Sequence, residues 1–200
     1  MLELASNPLL LVIYLASLLM AITVHEFAHA KAADYLGDPT PGLQGRLSLN
    51  PMRHIDPMGL IFLLIFRFGW GKPVQFDPFN LKNPRRDAAI ISLAGPLTNF
   101  AFALVLSVVA RFSPTLGLIL LPFIQLNVML GVFNLIPVHP LDGFKIVGGI
   151  LSHDQAKQWY SLERYGYIFL LLLIIPIGSG SMVSSIISPV IGFILRILLG

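Results

Sequence analysis

The sequence predicts an all-α polytopic membrane protein, with about five transmembrane helices and a re-entrant or interfacial segment carrying short strands at 40–80. Three observations carry that prediction. The 200 residues are 56% hydrophobic and 12% charged, with a mean hydropathy of +0.80, which is more apolar surface than a soluble core of this size can hide. Uncharged runs long enough to cross a bilayer recur along the chain, and the charges gather between them. The net charge of +3 and pI of about 9.4 suit a membrane protein with cations in its cytoplasmic loops, so nucleic acid is not expected as a partner. With no cysteine, disulfides and thiolate metal sites are excluded. Any metal must be held by His and carboxylate.

Residues 8 to 24 are uncharged. Ser6 or Asn7 suits the N-cap, Pro8 suits the first helical position, and HEFAHAKAADYLG extends the helix to Gly37. The N-terminus lacks a basic leader region, so residues 1 to 36 are expected to remain in the mature protein. The next stretch is rich in Pro and Gly. It contains one apolar run, Met58 to Phe66, and roughly 20 residues are needed to cross a bilayer, so this run is expected to be re-entrant or interfacial. GRLSLN and PVQF alternate as short strands do. The uncharged stretches 88 to 110 and 112 to 138 are separated at Arg111 by an RFSPT turn and should form an antiparallel pair. The run 165 to 195 is broken by IPIGSGS, which reads as a turn between two short spanning helices. No linker divides the chain, so 1–200 is expected to be one domain.

The cations orient this arrangement. Arg46, Arg53, Arg67, Lys72, Lys82, Arg85 and Arg86 lie between Gly37 and Asp87, and Lys145, Lys157 and Arg164 follow Pro137. Both loops are therefore expected in the cytoplasm, with the N-terminus outside and the C-terminus inside. Lys31 and Arg196 then fall on inner helix ends, leaving Arg111 alone outside.

Within the first helix, His25, Glu26 and His29 form HEFAH. Imidazoles four residues apart project from one helical face toward a common point, where zinc fits. The intervening Glu26 lies beside the open coordination position and can take a proton from the attacking water. The competing explanation is three polar residues at a helix end, satisfied by water and headgroups. A catalytic zinc site needs a third protein ligand. Asp142 in NLIPVHPLDG is the candidate, because the 112 to 138 helix returns to the cytoplasmic side at the depth of His25; its alternative role is capping a helix that begins near Gly143. Gly143 itself is expected to supply backbone freedom for a sharp turn.

With these motifs the chain resembles the site-2 proteases, specifically short bacterial members without a PDZ domain. GDPTPGLQGRLSLNPMRHIDPMG, GKPVQFDPFNLKNPRRDAAIISLAGPLTNF and NLIPVHPLDG extend the resemblance over nearly the whole sequence. It implies that His25, His29 and Asp142 bind one Zn2+ per chain and that Glu26 is the catalytic general base and acid. It also implies that Asn134 holds the substrate backbone or the developing oxyanion; its alternative is an interhelical hydrogen bond. The implied substrates are transmembrane helices of other proteins, cleaved in a bacterial inner membrane with the active site near the cytoplasmic side, under control of substrate access or a regulatory membrane protein. Strand-like stretches near 44–49 and 73–76 would pair with an unwound substrate. Gly95 and Asn99, in GPLTN, resemble a helix-packing motif. His139 stands where the family commonly has proline; zinc coordination, proton shuttling and a solvated loop position are its alternatives. His54 is expected in a cytoplasmic or interfacial loop, and His153 in a polar, inert one. A zinc transporter would need further ligands along a path to the outer face, where the sequence offers Gln125, Asn127 and few ionisable groups.

Overall fold

A computed structural model describes residues 7–66, 69–177 and 180–200. Helix α1, Pro8–Tyr35, begins where the Asn7 side chain accepts from the N–H groups of Leu9 and Leu10, satisfying two donors that the first turn leaves free. It ends as Gly37 takes a φ of +103°, a conformation that costs glycine little. A short turn of helix, α2 (Thr40–Leu43), leads to a loop with a 3-10 turn at Pro51–Arg53. Helix α3, Pro57–Phe66, is about 15 Å long at 1.5 Å per residue, half of what a crossing requires. A second 3-10 turn, Pro78–Asn80, precedes α4 (Pro84–Ala110) and α5 (Pro114–Asn134). The short helices α6 (Asp142–Ile150), α7 (His153–Ser161) and α8 (Gly166–Ile174) follow. The two-residue strands β1 (Pro176–Ile177) and β2 (Gly180–Ser181) pair antiparallel, and α9, Met182–Leu199, closes the chain.

Among the described residues four helices, α1, α4, α5 and α9, are long and apolar enough to cross a membrane. The antiparallel α4–α5 pair and the break near 176–181 are as the sequence predicts. The fifth crossing is not: α8 has nine residues, about 14 Å of helix. The expected strands at 40–80 are also absent among the described residues. That stretch is built from helical turns and extended chain, with one isolated bridge between Ile55 and Gly71. Its extended parts are fixed by side chains instead. The buried Arg46 guanidinium donates to the carbonyls of Arg53 and Lys72. Asp38 accepts from the backbone N–H groups of Thr40 and Asp77 and from the Asn80 amide.

The distribution of polarity is the reverse of a soluble bundle. Ser17, Thr23, Ser92, Asn99, Ser107 and Asn127 are buried, whereas Val12, Leu97, Leu104, Val105, Leu118 and Phe193 are exposed, as expected where lipid is the solvent. Helix α4 is central and packs against α1, α5 and α6. On α1, Ser17, Ala21, His25, His29 and Ala33 recur at every fourth position and are buried. On α4, Ile91, Gly95, Asn99, Ala103 and Ser107 do the same. Mostly small side chains at this spacing let two helix backbones approach closely.

The C-terminus departs from the sequence-based expectation. Arg111, at the α4–α5 turn, donates from Nη2 to the Leu198 carbonyl at 3.1 Å, and Leu198 is buried in a cluster with Ala103 and Ile124. The end of α9 therefore lies at the Arg111 end of the bundle. Arg196 belongs there too, rather than with the inner cations, because α8 is too short to reverse the course of the chain.

Candidate metal centre

The two imidazoles reach one point because α1 places them one turn apart on its buried face. His25 Nε2 and His29 Nε2 are 3.0 Å apart. Asp142, the first residue of α6, puts Oδ2 at 3.1 Å from the former and 3.2 Å from the latter. Glu26, His54 and His139 stand outside this group.

The outer ring nitrogens decide what the inner ones present. His25 Nδ1 lies 2.6 Å from Asn99 Oδ1, and Asn99 directs its Nδ2 to the Ala21 carbonyl and to Asn127 Oδ1. That fixes the Asn99 oxygen toward the ring, so Nδ1 of His25 carries the hydrogen. His29 Nδ1 lies 2.7 Å from the Ile91 carbonyl and must donate as well. In the neutral rings both Nε2 atoms then hold lone pairs, and they face each other and a carboxylate oxygen. Asp142 Oδ2 is buried with no hydrogen-bond partner. Burial alone pushes this carboxyl upward, and the two adjacent imidazoles more than reverse that, holding it below the usual carboxylate range.

Three lone pairs crowded into one buried spot repel one another unless a cation lies between them. The spacings are close to the ~3.3 Å edge of a tetrahedron with ~2.0 Å bonds, the geometry of zinc with His and carboxylate ligands. The residues fit the metal, and Nδ1–H donation to an amide and to a main-chain carbonyl is the usual outer support of such ligands. Glu26 is not aimed at this point. Its Oε2 accepts from the Val74 N–H at 2.9 Å, so Val74 lies against α1, the helix that carries the two imidazoles.

Gly95 makes room for the centre. A Cβ there would fall 2.5 Å from His29 Cε1 and Nε2 and 2.7 Å from His25 Cε1, so the edges of both rings close directly on the α4 backbone. The next residue, Pro96, lies inside the helix and cannot donate to Ser92. This weakens the ladder one residue beyond the carbonyl that His29 uses. Gly143 is also a matter of contact. It is helical, without a positive φ, and a Cβ would lie 2.3 Å from the Leu135 carbonyl. Close approach of α6 to the end of α5, rather than the expected freedom for a sharp turn, accounts for glycine beside Asp142.

The other singled-out residues lie elsewhere. The Asn134 Nδ2 donates to the Leu130 carbonyl of its own helix at 3.0 Å, not across to another. His139 packs edge-on against Phe144 and Tyr167, 3.6 Å from Glu163 Oε1. Burial pushes its imidazole below the ordinary value, Glu163 opposes the shift and Lys145 adds to it. His54 lies in the expected loop, just after the Pro51–Arg53 turn, and is fully buried there; its Nε2 donates to the Ser48 carbonyl at 2.7 Å. Sequence reasoning missed Asn127, the Ile91 carbonyl and Val74, and took Asn99 only as packing. The available signal was an amide in the middle of each of two uncharged runs, at Asn99 and Asn127.

A helix offering His-Glu-x-x-His beside a distant aspartate, inside a bundle of apolar helices, defines a membrane metalloprotease. The comparisons with known proteins agree. Over 186 residues the chain is 38% identical to "Putative zinc metalloprotease YwhC" of Bacillus subtilis, covering 86% of this chain and 85% of that protein. It is 33% identical over 175 residues to "Putative zinc metalloprotease Rip2" of Mycobacterium tuberculosis, covering 81% of this chain and 66% of that one. A shorter match, 39% over 90 residues, relates it to "Zinc metalloprotease MJ0392" of Methanocaldococcus jannaschii, covering 44% of this chain and 24% of that protein. The chain belongs to this zinc metalloprotease family. No family model matches it, and no solved structure does.

Proposed function

We propose that this chain is an intramembrane endopeptidase of the site-2 protease type, hydrolysing peptide bonds within or next to transmembrane helices of other membrane proteins. The observation that carries the reading is the convergence of His25, His29 and Asp142 within 3.2 Å, the two imidazoles on a helix long and apolar enough to cross a membrane and the carboxylate on the short helix that follows α5. His25 lies 17 residues into α1, about 25 Å along it, so the chemistry belongs near one membrane boundary. The distribution of Lys and Arg supports the cytoplasmic boundary: with the C-terminus at the Arg111 end, Arg111 and Arg196 would lie outside and the other cations within.

His25, His29 and Asp142 would hold one zinc ion, which when bound supplies Lewis acidity for activating water and polarising the scissile carbonyl. Glu26 takes the proton of the attacking water and passes it to the departing amine. The Val74 N–H holds Oε2 of this carboxylate, and the proton is taken by the other oxygen. Asn134 is assigned to the developing oxyanion, a task for which its second amide hydrogen is available. The substrate must arrive locally unwound, because the carbonyls of an intact helix are already hydrogen-bonded and shielded.

The test is a purified, reconstituted protein incubated with a single-span membrane protein. It should contain stoichiometric zinc, and Glu26→Gln should retain the zinc while cleavage falls by roughly 10^2 to 10^4, the usual share of a general base. Cleavage by Glu26→Gln at the parental rate would refute the role. In cells producing Glu26→Gln, a membrane protein should accumulate uncleaved, and its identity would give the substrate.

A further inference from the structure

Asn127 lies on α5, touches neither imidazole, and is fully buried in an otherwise apolar run. Its Nδ2 donates to the Phe123 carbonyl of the preceding turn at 2.8 Å, which leaves its Oδ1 facing α4. There Oδ1 accepts from Asn99 Nδ2 at 2.8 Å. The same Asn99 amide group donates to Ala21 on α1 at 3.0 Å, and Asn99 Oδ1 faces His25 Nδ1 at 2.6 Å. Three helices are thereby joined by one chain of hydrogen bonds that ends on a metal-ligating ring. An amide can flip, and a flipped Asn99 would present NH2 to His25, turning Nδ1 into an acceptor and moving the ring hydrogen to Nε2, where it blocks coordination. Ala21 alone holds one Asn99 hydrogen; Asn127 holds the other and leaves no donor free for the ring. His29 has no such dependence, because its partner is a main-chain carbonyl that cannot flip.

We propose that Asn127 is a positioning residue that sets the tautomer of His25 through Asn99, keeping the Nε2 lone pair free for the metal. The inference rests on the zinc site proposed above, and its direct readout does not require metal. In the metal-free full-length protein at alkaline pH, ¹⁵N–¹H correlation spectra of the histidine rings should show His25 with its hydrogen on Nδ1. In Asn127→Leu the Nε2–H form of His25 should appear while His29 is unchanged, and the zinc dissociation constant should rise roughly tenfold, the lower end for support of a ligating histidine. Asn99→Leu combined with Asn127→Leu should bind zinc no more weakly than Asn99→Leu alone, because the two residues act in series. Asn127→Asp, neutral in this apolar setting, can still accept from Asn99 and donate to Phe123, so it should stay within about threefold of the parent. A parent His25 with its hydrogen on Nε2 overturns the inference without any variant. So does an Asn127→Leu protein with parental His25 signals and zinc affinity, additive losses in the double variant, or an Asn127→Asp protein that behaves like Asn127→Leu. A parent that binds no zinc but carries Nδ1–H on His25 would overturn the zinc site and leave the tautomer assignment standing.

Discussion

At the scale of single residues, the centre depends on what is absent as much as on the donors. The rings of His25 and His29 occupy the space that a side chain at position 95 would need. Gly95→Ala is expected to cost about 1 to 3 kcal/mol by overpacking and to displace His29, so thermal unfolding should shift down and zinc content should fall together. A stable Gly95→Ala protein with full zinc would show that the rings can yield. His139 provides a separate test. Its folded-state value is depressed, so protonation favours the unfolded chain: its contribution to stability is complete above about pH 6.5 and is lost as pH falls through the lower folded value. His139→Phe should therefore lose less stability than the parent on acidification below that pH. Parallel curves would refute the assignment.

The elements that hold the site are joined by side chains where secondary structure is missing. Between α1 and α4 the chain has no sheet ladder among the described residues, and Asp38 supplies the fixing contacts. It is buried and accepts from Thr40, Asp77 and Asn80. Burial alone would raise its carboxyl, and those donors more than offset this, so it is held below its ordinary value. Asp38→Ala leaves buried donors unpaired, costing about 1 to 3 kcal/mol. Because Asp77 is only three residues beyond Val74, it should also release the segment that orients Glu26. The expected outcome is a lowered kcat, by roughly the 10^2-fold that misplacement of a catalytic group costs, with zinc stoichiometry retained. Loss of zinc in parallel would mean that the segment supports the ligands and not the base.

For the whole molecule, the sharpest prediction is sidedness. The chain has no cysteine, so single cysteines report without background. Ser113→Cys at the α4–α5 turn and Gly200→Cys at the end of α9 should both react with an impermeant thiol reagent added outside cells. Asp154→Cys, at the start of α7, should react only after the membrane is opened. Opposite behaviour of positions 113 and 200 would contradict the contact between Arg111 and Leu198.

The apolar class, the helix of the HEFAH motif, the antiparallel pair that follows and the three side chains that converge were legible in the sequence, because they follow from local composition, period-four spacing and charge placed between spans. Asn7 and Pro8 start α1 where their capping chemistry requires, and His25, His29 and Asp142 meet as expected. Tertiary structure alone decided the rest. Strand-like alternation at 44–49 and 73–76 forms no ladder among the described residues, and side chains take backbone groups there instead: His54 the Ser48 carbonyl and Glu26 the Val74 N–H. An apolar run of nine residues in α8 is too short to reverse the chain, which sent α9 to the end opposite to the one that charge counting assigned. Which nitrogen of His25 bears a hydrogen depends on Asn99 and Asn127, 74 and 102 residues away, and no local pattern records a hydrogen bond between residues that only the packing of three helices brings together.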